Sequence, residues 1–101
     1  EKEVLVAGPF RLDLTRYELT VDEEPIALTA TEFRLLKTLM LADGRVLTRS
    51  HLIDSVMGTG TAVTDRTIDV HITSLRKKVG TAAAAWIQTV RGVGYTFRQT
   101  P

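Results

Sequence analysis

Few side chains in this 101-residue sequence are of the types that carry chemistry, and their spacing is selective. His51 stands three positions before Asp54, and His71 two positions after Asp69. On a helix the first pair lies within hydrogen-bonding reach, but no nucleophile and no third metal ligand accompanies either pair. The chain has no cysteine. A thiol nucleophile, a cysteine-ligated zinc and a disulfide framework are therefore excluded. No catalysis, metal or cofactor is expected. What remains is a concentration of hydrogen-bond donors and positive charge between residues 65 and 79, DRTIDVHITSLRKKV, and a further arginine, Arg91, between Val90 and Gly92.

Apolar residues make up 44% of the chain and charged residues 25%, as in an ordinary folded domain, and the length suits one domain over residues 1–101. No apolar run approaches the roughly 18 to 20 residues that cross a bilayer, and no secretory signal pattern opens the chain. The net charge of +1 conceals a division at Gly44. Residues 1–43 carry nine acids and five bases, whereas residues 44–101 carry three acids and eight bases. The halves are thus −4 and +5, a polarity that points the second half toward a polyanionic partner.

The elements that must position these residues are legible in the periodicity. Val4–Val6, Phe10–Leu14, Tyr17–Val21 and Pro25–Leu28 read as four short strands, two of them alternating apolar with polar residues, separated by turns at Gly8-Pro9, Thr15-Arg16 and Asp22-Glu23-Glu24. Three helices follow, each announced by an apolar residue, a threonine, and an apolar residue four positions after that threonine: Leu28-Thr29 with Phe33, Leu47-Thr48 with Leu52, Val63-Thr64 with Ile68. The hydroxyl accepts from a free N–H of the first turn while the apolar pair closes a hydrophobic staple. Glu32 completes a capping box with Thr29, and Asp65 competes with Thr64 for the third cap. Gly44, Gly58 and Gly80 close the helices, placing them at about residues 30–42, 49–57 and 65–79. After a loose Ala-rich stretch, Trp86–Val90 and Tyr95–Arg98 form a hairpin across Arg91-Gly92-Val93-Gly94, with two glycines available for positive φ. The fold class is α+β: a four-stranded antiparallel sheet, three helices and a C-terminal β-hairpin, which together make a winged helix-turn-helix.

On a helical wheel, Ile68, Ile72, Leu75 and Val79 fall within about 60° of one another and form the core stripe. Arg66, Val70, Thr73, Ser74 and Lys77 occupy the opposite face, with Asp69 and Arg76 on one flank and Thr67 and Lys78 on the other. Fifteen residues span about 22 Å, enough to lie in a DNA major groove, and the exposed face suits base edges and flanking phosphates. Val70 points directly away from the core stripe. Either it meets a thymine methyl or it is a stray surface valine. Arg91 either enters a narrow minor groove or is an ordinary turn arginine.

Four segments resemble the C-terminal effector domain of OmpR/PhoB-type response regulators. Leu28-Thr29-Ala30-Thr31-Glu32-Phe33-Arg34-Leu35-Leu36 resembles the opening of that family's first helix, and Gly44-Arg45-Val46-Leu47-Thr48-Arg49 its approach to the second. Residues 65–72 with Leu75-Arg76-Lys77-Lys78 resemble its recognition helix, and Thr89–Tyr95 its wing. The resemblance runs from about residue 4 to residue 98 and includes the N-terminal sheet. It implies a transcription factor that binds double-stranded DNA as tandem copies on direct repeats, with the helix at about 65–79 in the major groove and the wing at about 86–98 at the minor groove. By the same resemblance Arg66, Thr67 and Arg76 grip phosphates, Val70 and its neighbours Thr73, Ser74 and Lys77 face bases, and Arg91 reaches the minor groove. His71 ranks below these. The loop at residues 58–64 resembles one that contacts RNA polymerase.

Two departures carry consequences. Thr73 and Ser74 stand where the family often has arginines, which removes two candidate guanine readers. Met57 stands where the family usually has tryptophan. Glu1 in place of an initiator methionine, taken with the resemblance, implies one piece of a longer cytoplasmic regulator whose N-terminal receiver domain holds the phosphoacceptor aspartate. Two rival readings are a winged helix that binds protein without DNA, and a ToxR-like membrane-anchored regulator continuing beyond Pro101 into a transmembrane segment.

Overall fold

The computed structural model describes residues 3–58 and 63–98. Four strands, β1 (Val4–Ala7), β2 (Phe10–Asp13), β3 (Glu18–Val21) and β4 (Glu24–Ile26), form an antiparallel meander in sequence order. The β3–β4 turn places Asp22 and Glu23 at φ 50° and 69°. Positive φ at both central residues is the two-residue turn whose twist matches the flanking strands. Phe10, Leu12, Leu19 and Val21 are buried, while Glu18, Glu24, Asp22 and Glu23 are exposed, so the sheet turns an acidic edge to water.

Helices α1 (Ala30–Leu41), α2 (Arg49–Met57) and α3 (Asp65–Val79) fall within a residue of their expected limits. Thr29 caps α1 through the full capping box, its hydroxyl 3.1 Å from the Glu32 amide and Glu32 Oε1 3.0 Å from the Thr29 amide. Thr48 Oγ1 likewise accepts from the His51 amide at 3.1 Å. The third threonine departs from expectation. Thr64 occupies the N-cap of α3 without a side-chain bond, and its backbone carbonyl takes the Thr67 amide instead at 3.0 Å. Leu28, Leu47 and Val63, the outer members of the three staples, all pack against the core.

Two elements escaped the sequence reading. The stretch expected to be loose contains a single helical turn, α4 (Thr81–Ala84), which buries Ala83. Leu47–Thr48 forms a two-residue strand, β5, paired with β7 (Gly94–Phe97), which in turn pairs with β6 (Ile87–Val90). Two residues are too few for alternation to register, and their pairing is set by a partner nearly fifty positions away. The hairpin also differs in its glycines. Only Gly92, at φ 75°, uses the left-handed region. Gly94 already lies in β7, directly opposite Thr48, where a Cβ would sit 1.9 Å from the Leu47 carbonyl oxygen. It is glycine because β5 comes too close for anything larger.

The core joins the two sheets through the helices. Phe10 meets Phe97 edge-on at 5.0 Å and Trp86 at 6.3 Å, tying the meander to the hairpin. Leu35, Leu36 and Leu39 of α1 and Leu52 of α2 are fully buried beside the α3 stripe, in which Ile68, Ile72 and Leu75 are fully buried and Val79 nearly so. Met57, at the position of the family's tryptophan, is half-buried against this core. Arg34 donates from Nε to the Val56 carbonyl at 3.1 Å, fastening the end of α2 to α1.

The two hairpin glycines separate steric from conformational demands. Gly94→Ala is expected to cost about 3 kcal/mol, because backbone must move. Gly92→Ala, which meets nothing within 4 Å, should cost only about 1 kcal/mol, for its positive φ. Equal losses in chemical denaturation would contradict this account of the β5–β7 approach.

Candidate nucleic-acid interface

Helix α3 buries one stripe and presents the rest. Arg66, Val70, Thr73 and Lys77 are exposed, Val70 to 59%, and with Asp69 and Ser74 they line one shallow open groove along the helix. The structure thus brings five of the eight expected site residues onto a single surface. Thr67, Arg76 and Arg91 lie outside that groove: Thr67 is half-buried, Arg76 turns toward the hairpin, and Arg91 is exposed in the turn beyond Val90.

The polar side chains on this face are not all free. Thr73 donates its hydroxyl to the Asp69 carbonyl at 2.9 Å. Ser74 donates to Glu32 Oε2 at 2.6 Å. Arg76 donates from Nε and Nη2 to the Ile87 carbonyl at 3.1 and 2.8 Å, and from Nη2 to Thr89 Oγ1 at 2.9 Å. Arg76 therefore spans from α3 to the wing.

Two carboxylates organise this face. Glu32, only 2% exposed, completes the α1 cap with Oε1 and receives Lys78 Nζ on the same oxygen at 2.6 Å. Burial by itself would raise its pKa. Bonds from Lys78, Ser74 and the Thr29 amide, with the Lys78 charge, outweigh that and hold the carboxyl at about 2. The second carboxylate, Asp69, accepts from Arg49 Nε at 2.8 Å and from the Tyr95 hydroxyl at 2.6 Å on one oxygen. These two bonds lower the Asp69 pKa. Burial, then the neighbouring Asp69, pushes the Tyr95 hydroxyl up. The Tyr95 ring also has the guanidinium carbons of Arg49 and Arg76 at 5.6 and 5.7 Å from its centre. The sequence carries one signal of this, an acid past the first turn of α3 amid its bases. Its partners on α2 and β7 lie 20 and 26 positions away, beyond the reach of any local pattern.

Residues 23–97 match the family described as transcriptional regulatory protein, C terminal. The chain belongs to this family. Its kinship with OmpR/PhoB-type effector domains agrees with the sequence resemblance. It is 47% identical over 94 residues to the sensory transduction protein RegX3 of Mycolicibacterium smegmatis, covering 91% of this chain and 41% of that protein. It is 42% identical over 90 residues to the phosphate regulon transcriptional regulatory protein PhoB of Pseudomonas aeruginosa, covering 89% and 39%. The chain thus spans about two fifths of these relatives. Among solved structures, the DNA-binding domain of CpxR from E. coli superposes with a TM-score of 0.84 at 34% identity, covering 98% of this chain and 99% of that one. The Klebsiella pneumoniae RstA DNA-binding domain, solved in complex with RstA box, gives 0.84 at 28% identity, covering 96% and 98%. Within this family's winged helix, α2 and α3 are the helix-turn-helix and β6–β7 the wing. No helix among the described residues is long and apolar enough to cross a membrane.

A carboxyl whose pKa falls from 4.5 unfolded to about 2 folded contributes stability present above pH 4.5 and lost as the pH falls toward 2. Linkage puts that contribution at roughly 3 kcal/mol. Glu32→Gln should therefore flatten the stability profile between pH 4.5 and 2. A variant with the wild-type slope across that window would show that Glu32 is not the linked group.

Proposed function

We propose that this domain binds double-stranded DNA sequence-specifically as the effector domain of a two-component response regulator, with α3 in the major groove and the β6–β7 wing at the minor groove. The observation that carries the reading is the exposed α3 face, on which Arg66, Val70, Thr73 and Lys77 project from a helix whose other side is wholly buried. The complex of the related RstA domain with its box supports it.

The roles divide by chemistry. Arg66, Thr67 and Lys77 serve phosphates and flanking base edges, and Arg76, with Nε and Nη2 engaged by the wing, offers its Nη1 edge to a phosphate. Val70 faces a thymine methyl. The Thr73 and Ser74 hydroxyls each donate within the protein, so toward DNA they present lone pairs. They then suit the amino groups of adenine and cytosine, and oppose guanine, whose major-groove edge is all acceptor. Arg91 enters the minor groove.

The proposal extends to the whole regulator. A receiver domain holding the phosphoacceptor precedes this one, consistent with relatives of more than twice its length. Copies occupy tandem direct repeats in the cytoplasm, and the segment at 58–64 faces RNA polymerase; residues 59–62 of that segment lie outside the described residues. The domain itself performs no catalysis.

Four cations at phosphates and in the minor groove, Arg66, Arg76, Lys77 and Arg91, set the salt response. Fluorescence anisotropy with a duplex should give log K falling with log salt at a slope of roughly −3 to −4. No duplex affinity at 50 mM salt would overturn the DNA reading in favour of a protein-binding winged helix. Thr73→Arg should create a guanine preference at one site position, worth about 1–3 kcal/mol. An unchanged base preference after selection from random duplexes would remove Thr73 from the reading face.

A further inference from the structure

Two ties join the wing to α3, and they sit seven residues apart. At Asp69 the carboxylate takes the hydroxyl of Tyr95 from β7. At Arg76 the guanidinium takes the Ile87 carbonyl and the Thr89 hydroxyl from β6. Seven residues are two helical turns, so the ties lie on one flank about 10 Å apart. One tie would leave the wing a pivot; two on different strands remove it. A third restraint comes from behind, where β5 pairs with β7 and Gly94 permits a backbone approach that any Cβ would block. Arg49, at the start of α2, closes the set by bonding Asp69 and flanking the Tyr95 ring. Arg91 follows Thr89 by two residues, so its starting point is fixed relative to the α3 face.

We propose that Asp69 and Tyr95, with Arg76, are positioning residues that set the offset in base pairs between the site read by α3 and the minor-groove tract met by Arg91. The inference rests on the DNA reading above and adds to it a ruler. Neither Asp69 nor Tyr95 needs to touch DNA for this. Asp69, whose carboxylate would repel phosphates if unpaired, is neutralised by Arg49 and put to use as the wing's anchor. Successive base pairs are about 3.4 Å apart, so a wing free to swing by that distance accepts a neighbouring offset, and a wing held at two points does not.

Tyr95→Phe tests this with least disturbance, because the ring stays beside the two guanidiniums and only the hydroxyl's bonds, to Asp69 and Arg49, are lost. Bound sequences are selected from random duplexes with the wild-type domain, with Tyr95→Phe and with Asp69→Asn, and melting curves confirm that each is folded. The wild-type domain should select one α3 motif with an A·T tract at a single offset. Tyr95→Phe should select the same motif with the tract spread over two or more offsets, and should bind the best wild-type site about threefold to tenfold more weakly. Asp69→Asn, which keeps an acceptor but loses the charge, should broaden the offset less, and it decides the matter if Tyr95→Phe does not fold. Weaker binding with the offset unchanged would assign these residues to stability alone and overturn the proposal. A wild-type domain that selects a motif without an A·T tract would overturn it through Arg91, leaving the α3 reading intact. Selection of no duplex at all would instead sink the DNA reading itself.

Discussion

Rotation of α3 about its own axis is the motion this domain is built to prevent. A roll of 20° would carry the tips of its side chains by roughly 2 Å, enough to misplace every donor on the exposed face. The apolar stripe of Ile68, Ile72, Leu75 and Val79 seats the helix, but hydrophobic burial is non-directional and resists rolling poorly. Direction comes from the flanks. On one, Glu32 reaches from α1 to hold Ser74 and Lys78. On the other, Asp69 is held by Arg49 and Tyr95, and Arg76 by the wing. A carboxylate on each side, Glu32 of α1 bonded twice to α3 and Asp69 of α3 bonded to α2 and β7, makes the helix a fixed platform. Among the described residues no buried side-chain polar atom lacks a partner, as such a platform requires.

The same arrangement explains why a near-neutral chain belongs to a family of transcriptional regulators. The acids of residues 1–43 are largely spread over the meander, where Glu18, Asp22, Glu23 and Glu24 face water. Glu32 is paired with Lys78, and Asp69, on α3 itself, with Arg49. Arg66, Lys77 and Arg91 are left exposed on the elements that would meet a polyanion. Local pairing, not the net count, decides where the field points.

Most of the architecture was legible in the residues. The starts of α1 and α2 follow from threonine caps, the ends of α2 and α3 from Gly58 and Gly80, and α3 from a stripe whose four members are all buried. Helix α1 instead closes at Ala42, with Asp43 at φ 54° ahead of Gly44. Where local reading misses a tertiary partner, the cause is distance along the chain. Thr48 reads locally as a cap, and it is one, yet it is also half of a strand whose partner is Gly94. Gly94 reads as a turn residue because glycine pairs mark turns, whereas its constraint is the backbone of β5. Glu32 reads as a capping residue, and nothing nearby in sequence says that its second oxygen anchors α3 from 42 positions away. Ser74 and Arg76 lay on the polar side of the wheel, but a wheel carries no information about α1 or the wing, which engage both.

The claim that α3 and the wing turn are the face that meets DNA is tested most directly by mapping backbone amide shifts of the labelled domain as a duplex from the selected pool is added at low salt. Shifts are expected to concentrate at Arg66–Lys77 and Arg91–Val93, with β1 through β4 unmoved. Shifts concentrated instead on the meander, with α3 and the wing unmoved, would contradict it.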